Sequence, residues 1–188
     1  ATTFALHRGF TLEQVMRHSV LELPVPPAVL DPLRDAATAR AAGYRVHVWT
    51  DDVPEEWLAQ LAVLETRMST DAPSGGLDLA EDPWDAERVR TFSREIRDRG
   101  RGYVVAAAED TATGTLAAFS MVAYPLDPAE VVFQEDTLVL REHRGRSLGL
   151  HVKVAVLDEL ARARPSSRRV HTWNAEENRH MLAINVAL

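Results

Sequence analysis

The chain has 188 residues, no cysteine, 21 Lys plus Arg against 28 Asp plus Glu, and a formal net charge of −7. That length allows one full domain with an appendage, and a core that needs neither disulfide nor metal to hold it. The missing cysteine excludes disulfides, thiolate metal sites and a cysteine nucleophile. The acidic balance argues against nucleic acid as a partner, because neutralised phosphates supply most of that affinity.

No apolar run reaches membrane-spanning length, and the start lacks a basic region followed by an apolar one. The expectation is a cytoplasmic protein with no membrane partner. Two arginine clusters run against the average charge: Arg141, Arg144 and Arg146, then Arg162, Arg164, Arg168 and Arg169. Local positive charge in an acidic chain suits a small anion better than a polymer.

Taken in chain order, residues 11–23 read as an extended segment, and Pro24, Pro26 and Pro27 break regular structure after it. An Ala-rich helix is expected over 31–42, closed by Gly43. Residues 44–50 alternate and are β-branched, hence a strand. Asp51 and Asp52 are placed to cap a helix carrying Trp57, Leu58, Leu61 and Leu64 at helical spacing. A long loop follows over 69–83, of the kind that often serves function, and its position makes it the expected acceptor-site wall.

A charged helix over 84–99 stops at Gly100. Residues 103–108 and 115–124 form a hairpin around the turn 110–114. A strand over 131–140, a helix over 148–163 ended by Pro165, a strand over 169–173 and a helix over 175–188 complete the pattern. Strands and a hairpin followed by strand–helix–strand–helix imply an α/β or α+β sheet with helices on both faces. His143, His151, His171 and His180 fall on separate elements without ligand spacing, so no metal is expected. The four tryptophans read as packing residues.

The informative segment is 138–150, LVLREHRGRSLGL. An apolar strand enters a basic, glycine-containing loop that opens into an amphipathic helix. Free backbone N–H groups and the positive end of a helix dipole then aim at one point, and arginines add fork-shaped donors for phosphate oxygens. The segment has neither the Walker nor the dinucleotide-binding spacing.

Arg144-Gly145-Arg146-Ser147-Leu148-Gly149 resembles the acyl-CoA loop of the GCN5-related N-acetyltransferase (GNAT) superfamily, with Ser147 where the family usually has a glycine. Asp136-Thr137-Leu138-Val139-Leu140 resembles its splayed central strand. Thr172-Trp173-Asn174, followed by Asn178, Met181 and Asn185, resembles the stretch that leads into its closing elements. The resemblance covers about residues 44–188. It implies a mixed, mostly antiparallel central sheet flanked by helices, with acetyl-CoA as acyl donor and no metal.

By the same resemblance Leu138, Val139, Leu140, Arg144, Gly145, Arg146, Ser147, Leu148, Gly149 and Asn178 would bind the cofactor. Asn185 would stand where many relatives carry a tyrosine that protonates the departing thiolate, an acid's task that an amide does not perform. Glu135, beside Asp136, is the expected base, since strand alternation puts the two carboxylates on opposite faces.

The implied reaction is direct acetyl transfer to an amine of a small molecule or peptide. The alternative is a catalytically degenerate copy that binds CoA or serves packing. Ser147 and Asn185 favour the alternative; the arginines, Gly145, Gly149 and Asn178 favour retained cofactor binding. Residues 4–10 with the strand-like 11–23 resemble the end of another such domain, and the family's closing helix normally continues into a last strand. The expected organisation is therefore a piece of a tandem acetyltransferase: a tail strand in 1–24, a Pro-rich linker and short helix in 25–43, and the acyltransferase domain in 44–188. Packing against a second copy or as a homo-oligomer follows from that. The strand in 11–23 is expected to fill the open sheet edge, since a free edge is a liability.

Overall fold

The computed structural model describes residues 2–188. Its elements in chain order are α1 (Thr2–His7), β1 (Met16–Glu22), α2 (Pro27–Arg40), β2 (Tyr44–Thr50), α3 (Glu55–Asp71), α4 (Ala86–Asp98), β3 (Arg101–Asp110), β4 (Thr115–Pro125), β5 (Val131–Val139), α5 (Leu148–Ala163), β6 (Arg169–Ala175) and α6 (Arg179–Ala187). The strands form one sheet in the order β1-β6-β5-β4-β3-β2. All neighbours are antiparallel except β5 and β6. The mixed, mostly antiparallel sheet read from the sequence is present.

Strands β3 and β4 are buried along nearly their whole length, which their runs of alanine, valine and phenylalanine dictate. One face of the sheet packs on α5 through Val152, Val156 and Leu160 against Val104, Ala106 and Val122. The other packs on α3 and α4 through Leu58, Leu64 and Val89 against Val105, Ala107 and Phe119. Strand β1 pairs with β6 along its length, from Met16 opposite Ala175 to Glu22 opposite Arg169. The strand within 11–23 thus occupies a sheet edge, and the sheet is shared between residues of 1–24 and of 44–188.

Several boundaries differ from expectation. The second helix begins at Pro27 rather than 31, since proline at the first helical position sacrifices no hydrogen bond, and the helix carries Pro32 in its second turn. Asp51 and Asp52 do not cap α3, whose N-cap is Pro54. Asp51 instead sits at φ 61° and accepts from the Tyr103 amide at 2.8 Å, a long-range bond that local spacing cannot reveal. The loop after α3 starts at Ala72, because α3 runs on to Asp71. No helix among the described residues is long and apolar enough to cross a membrane.

Candidate active site

Strands β5 and β6 pair only over Val131–Phe133 and Arg169–His171. Beyond that point β5 stays with β4 while β6 stays with β1, so the sheet splits. The flank of β5 turned toward β6 is left without a strand partner. The split opens into a cavity of about 620 Å³, lined by Thr137, Leu138 and Val139 of β5, by Arg144, Gly145, Ser147, Leu148 and Gly149, and by Asn178, His180 and Met181. That volume is within the range of small-molecule sites.

The first turn of α5 faces this cleft with N–H groups that have no intrahelical partner. The turn into it needs Gly145 at φ 82° and Ser147 at φ 57°. Serine here pays for a left-handed backbone that glycine adopts freely. A Cβ at Gly149 would stand 3.5 Å from Ile184 and 3.5 Å from Val139, ordinary contact distances, so α5, α6 and β5 meet closely around it. Asn178 caps α6, its Oδ1 accepting from the Met181 amide at 3.2 Å, which leaves its amide nitrogen for the cleft.

Two further lining residues came without a sequence signal: Arg40 of α2, which donates to the Gly145 carbonyl at 3.3 Å, and Met68 of α3. Asp71, within the expected wall 69–83, closes the cleft beside them. The Asp71 carboxylate accepts from Arg141 at 3.1 Å and from Arg144 at 3.3 Å, while Arg144 also donates to the Val139 carbonyl at 3.1 Å. An internal carboxylate thus holds the arginines at the mouth of the cleft. Only tertiary structure brings residues 70 positions apart into this contact.

Two of the expected cofactor residues stand outside the cleft. Leu140 packs on the α3 side of the core. Arg146 donates to the Tyr44 hydroxyl and lies over its ring at 5.5 Å from the centroid.

The two expected catalytic residues do not meet. Glu135 lines a second cavity of about 170 Å³ on the α4 face, with Glu65, Asp136, Trp84, Phe92 and Arg101. Asn185 lines a third cavity on the α5 face and donates to Asn174 at 2.6 Å. The expectation that Glu135 and Asp136 face opposite ways is also wrong. Between Ser120–Thr137 and Val122–Gln134 the register shifts, so that Glu135 and Asp136 together oppose Met121. This is a β-bulge, and it breaks the alternation. Both carboxylates consequently line one cavity.

Burial raises the Glu135 carboxyl above its ordinary value, partly offset by Arg101 at 3.5 Å. Burial raises Asp136 as well. Glu65, with no hydrogen-bond or ion-pair partner among the described residues, is pushed up to about 8 by burial and by the neighbouring Asp136. Of the expected acceptor wall over 69–83, Asp71, Ala72 and Pro73 line the cleft, and none of its residues lines the cavity around Glu135. No group of three or more His, Asp or Glu among the described residues is placed to hold a metal.

No protein-family model and no curated protein matches the chain. Among solved structures, a tandem GNAT protein from the clavulanic acid biosynthesis pathway, solved without acetyl-CoA, is 31% identical with a TM-score of 0.75. The match covers 99% of this chain and 53% of that one, so the chain spans about half the length of that relative. A GCN5-related N-acetyltransferase from Sphaerobacter thermophilus is 17% identical (TM-score 0.59), over 95% of this chain and 48% of that one. The putative acetyltransferase yncA from Salmonella typhimurium, solved with acetyl-CoA, is 12% identical (TM-score 0.56), over 74% and 76%. The last two, at such identity, speak for the fold alone. Matched almost end to end by a 31%-identical relative and split between β5 and β6 as the resemblance requires, the chain belongs to the GCN5-related N-acetyltransferase superfamily.

Proposed function

We propose that the chain is an N-acyltransferase that uses acetyl-CoA to acetylate an amine. The observation that carries this reading is the cleft at the β5–β6 split, where an open strand flank, the start of α5 and Arg144 converge. Such a set suits a long ligand with a pyrophosphate at one end and an amide-bearing arm at the other. Arg144, the N–H groups of residues 147–149 and Asn178 would hold the phosphates and their approach; Thr137, Leu138 and Val139 would bind the arm. When bound, the thioester supplies an activated acyl carbon.

In this reading Glu135, on the opposite face, would take the proton that an attacking amine must lose. Burial raises its pKa, which makes it a better base near neutral pH. Glu135 and Asp136 at one cavity favour a cationic amine over an acidic acceptor. The second reading, a copy that binds CoA without catalysis, is favoured by one observation: Asn185 is tied to Asn174 and does not line the cleft.

Calorimetric titration with acetyl-CoA and CoA, followed by a thiol-release assay over a panel of amines, tests both. Micromolar binding with turnover that falls in Glu135→Gln at unchanged cofactor affinity supports the enzyme. Binding without turnover on any amine supports the degenerate copy, and no binding at millimolar ligand overturns both.

A further inference from the structure

Resting on the cleft as an acyl-CoA site, a second observation carries further. Lys153 is the one lysine in the chain; every other long basic side chain is arginine. It lies on the inner face of α5 among Val152, Val154 and Val156 and is only 5% exposed. Its Nζ donates to Gln134 Oε1 at 2.7 Å, and it has no carboxylate partner among the described residues.

The small cavity beside it, about 40 Å³, is lined by Lys153, Gln134, Ser19, Thr172 and Asn185 and by apolar side chains, none of them acidic. That is room for about three water-sized groups, close to the bulk of an acetyl group.

This cavity is separate from the cofactor cleft, but β5, α5 and α6 line both, and the cavity lies nearer the point where β5 and β6 rejoin. Helix α6 contributes Met181 to the cleft and, one turn on, Asn185 to the cavity. Strand β5 contributes Thr137 to the cleft and Gln134 to the cavity, and Gln134 Nε2 reaches Thr137 Oγ1 at 3.4 Å. The rejoining pairs, Phe133 with His171 and Val132 with Val170, lie immediately next to Gln134 and Thr172. A ligand entering at α5 and running along β5 would bring its far end toward Lys153.

We propose that Lys153 is a covalent acyl acceptor, acetylated on Nζ by the thioester bound in the cleft. The Nζ lone pair forms a C–N bond to the acyl carbon as the C–S bond breaks. The electron pair leaves on the CoA sulfur, and the proton lost from nitrogen neutralises the thiolate, giving free CoA and an amide. Burial away from any carboxylate holds the amine down to about 7, so its neutral, nucleophilic form is present near neutral pH. The amide product carries no charge and replaces a buried ionisable group with one suited to its surroundings.

The test is intact-mass measurement with peptide mapping of the full chain after incubation with acetyl-CoA, with acetyl-CoA binding followed separately by calorimetry. The expected result is one acetyl group per chain on the Lys153 peptide, lost in Lys153→Arg and in Lys153→Met, and at least ten-fold slower in chain unfolded by urea. Binding without modification of Lys153, label confined to the N-terminal amine, or equal labelling of folded and unfolded chain would each overturn the proposal while leaving the cofactor cleft standing. Absence of both binding and label overturns the cleft reading as well. A readout free of acetyl-CoA uses the single lysine directly: in chain labelled with carbon-13 lysine, the one side-chain signal should titrate near neutrality. Titration in the ordinary lysine range would sink the proposal.

Discussion

Glu65 and Lys153 are buried ionisable side chains on opposite faces of the sheet, and they shape stability against pH in complementary ways. The Glu65 carboxyl is at about 8 in the fold and 4.5 when free. Between those values the unfolded chain gives up a proton that the folded chain keeps, so stability is full below 4.5 and declines as pH rises toward 8. Lys153 is at about 7 in the fold and 10.5 when free. Its burial penalty is full below 7 and is relieved as pH climbs toward 10.5. Glu65→Gln should therefore flatten the decline and add about 2–4 kcal/mol at the alkaline end of that window, measured by urea unfolding across pH. Lys153→Met should add a similar amount on the acid side of neutrality.

At the same scale, Arg144→Ala should weaken acetyl-CoA binding roughly ten- to hundred-fold, since a charged hydrogen bond contributes about 1.5–3 kcal/mol. Asp71→Asn, which frees Arg144 and removes a negative charge from the cleft wall, should tighten it several-fold. Titration calorimetry reads both, and an unchanged affinity in Arg144→Ala would remove that residue from phosphate contact.

Among the elements, the loop into α5 is where chemistry and conformation are most tightly joined. Its dipole and amides were legible from strand, glycines and arginines in sequence. Which amides face the cleft depends on left-handed backbone at Gly145 and Ser147. Gly145→Ala should cost about 1 kcal/mol, roughly 2–4 °C of Tm in a chain this size, because a Cβ is disfavoured at φ 82° even though the space around it is open. Strand β5 teaches the converse. Its residues were identified correctly, yet the bulge opposite Met121 turned Asp136 to the same cavity as Glu135. A bulge is a property of the pair of strands, so periodicity within one strand could not disclose it.

For the molecule as a whole, the sheet has a stable middle and a lightly attached side. Strands β3 and β4 are buried on both faces, while β1 pairs only with β6, and β6 joins the rest through three residue pairs with β5. Hydrogen exchange should find the slowest amides in β3 and β4 and the fastest strand amides in β1. Acetyl-CoA should slow exchange at Thr137–Val139 and in the first turn of α5, while leaving β2 unchanged. Protection spread evenly over all six strands would contradict this division.

The order of strands and helices and the glycine- and arginine-bearing loop into α5 were set by local sequence. Hydrophobic period, glycine placement and helix dipoles act over a few residues and can be read in one dimension. Tertiary structure alone decided that Asp71 would hold Arg144, that Arg146 would turn to Tyr44, and that Glu135 and Asn185 would stand on opposite faces. It also buried the single lysine against Gln134, beside a small cavity under α5. Each of these depends on how distant elements pack, and burial, which shifts the carboxyls of Glu65 and Glu135 and the amine of Lys153, exists only once they have packed.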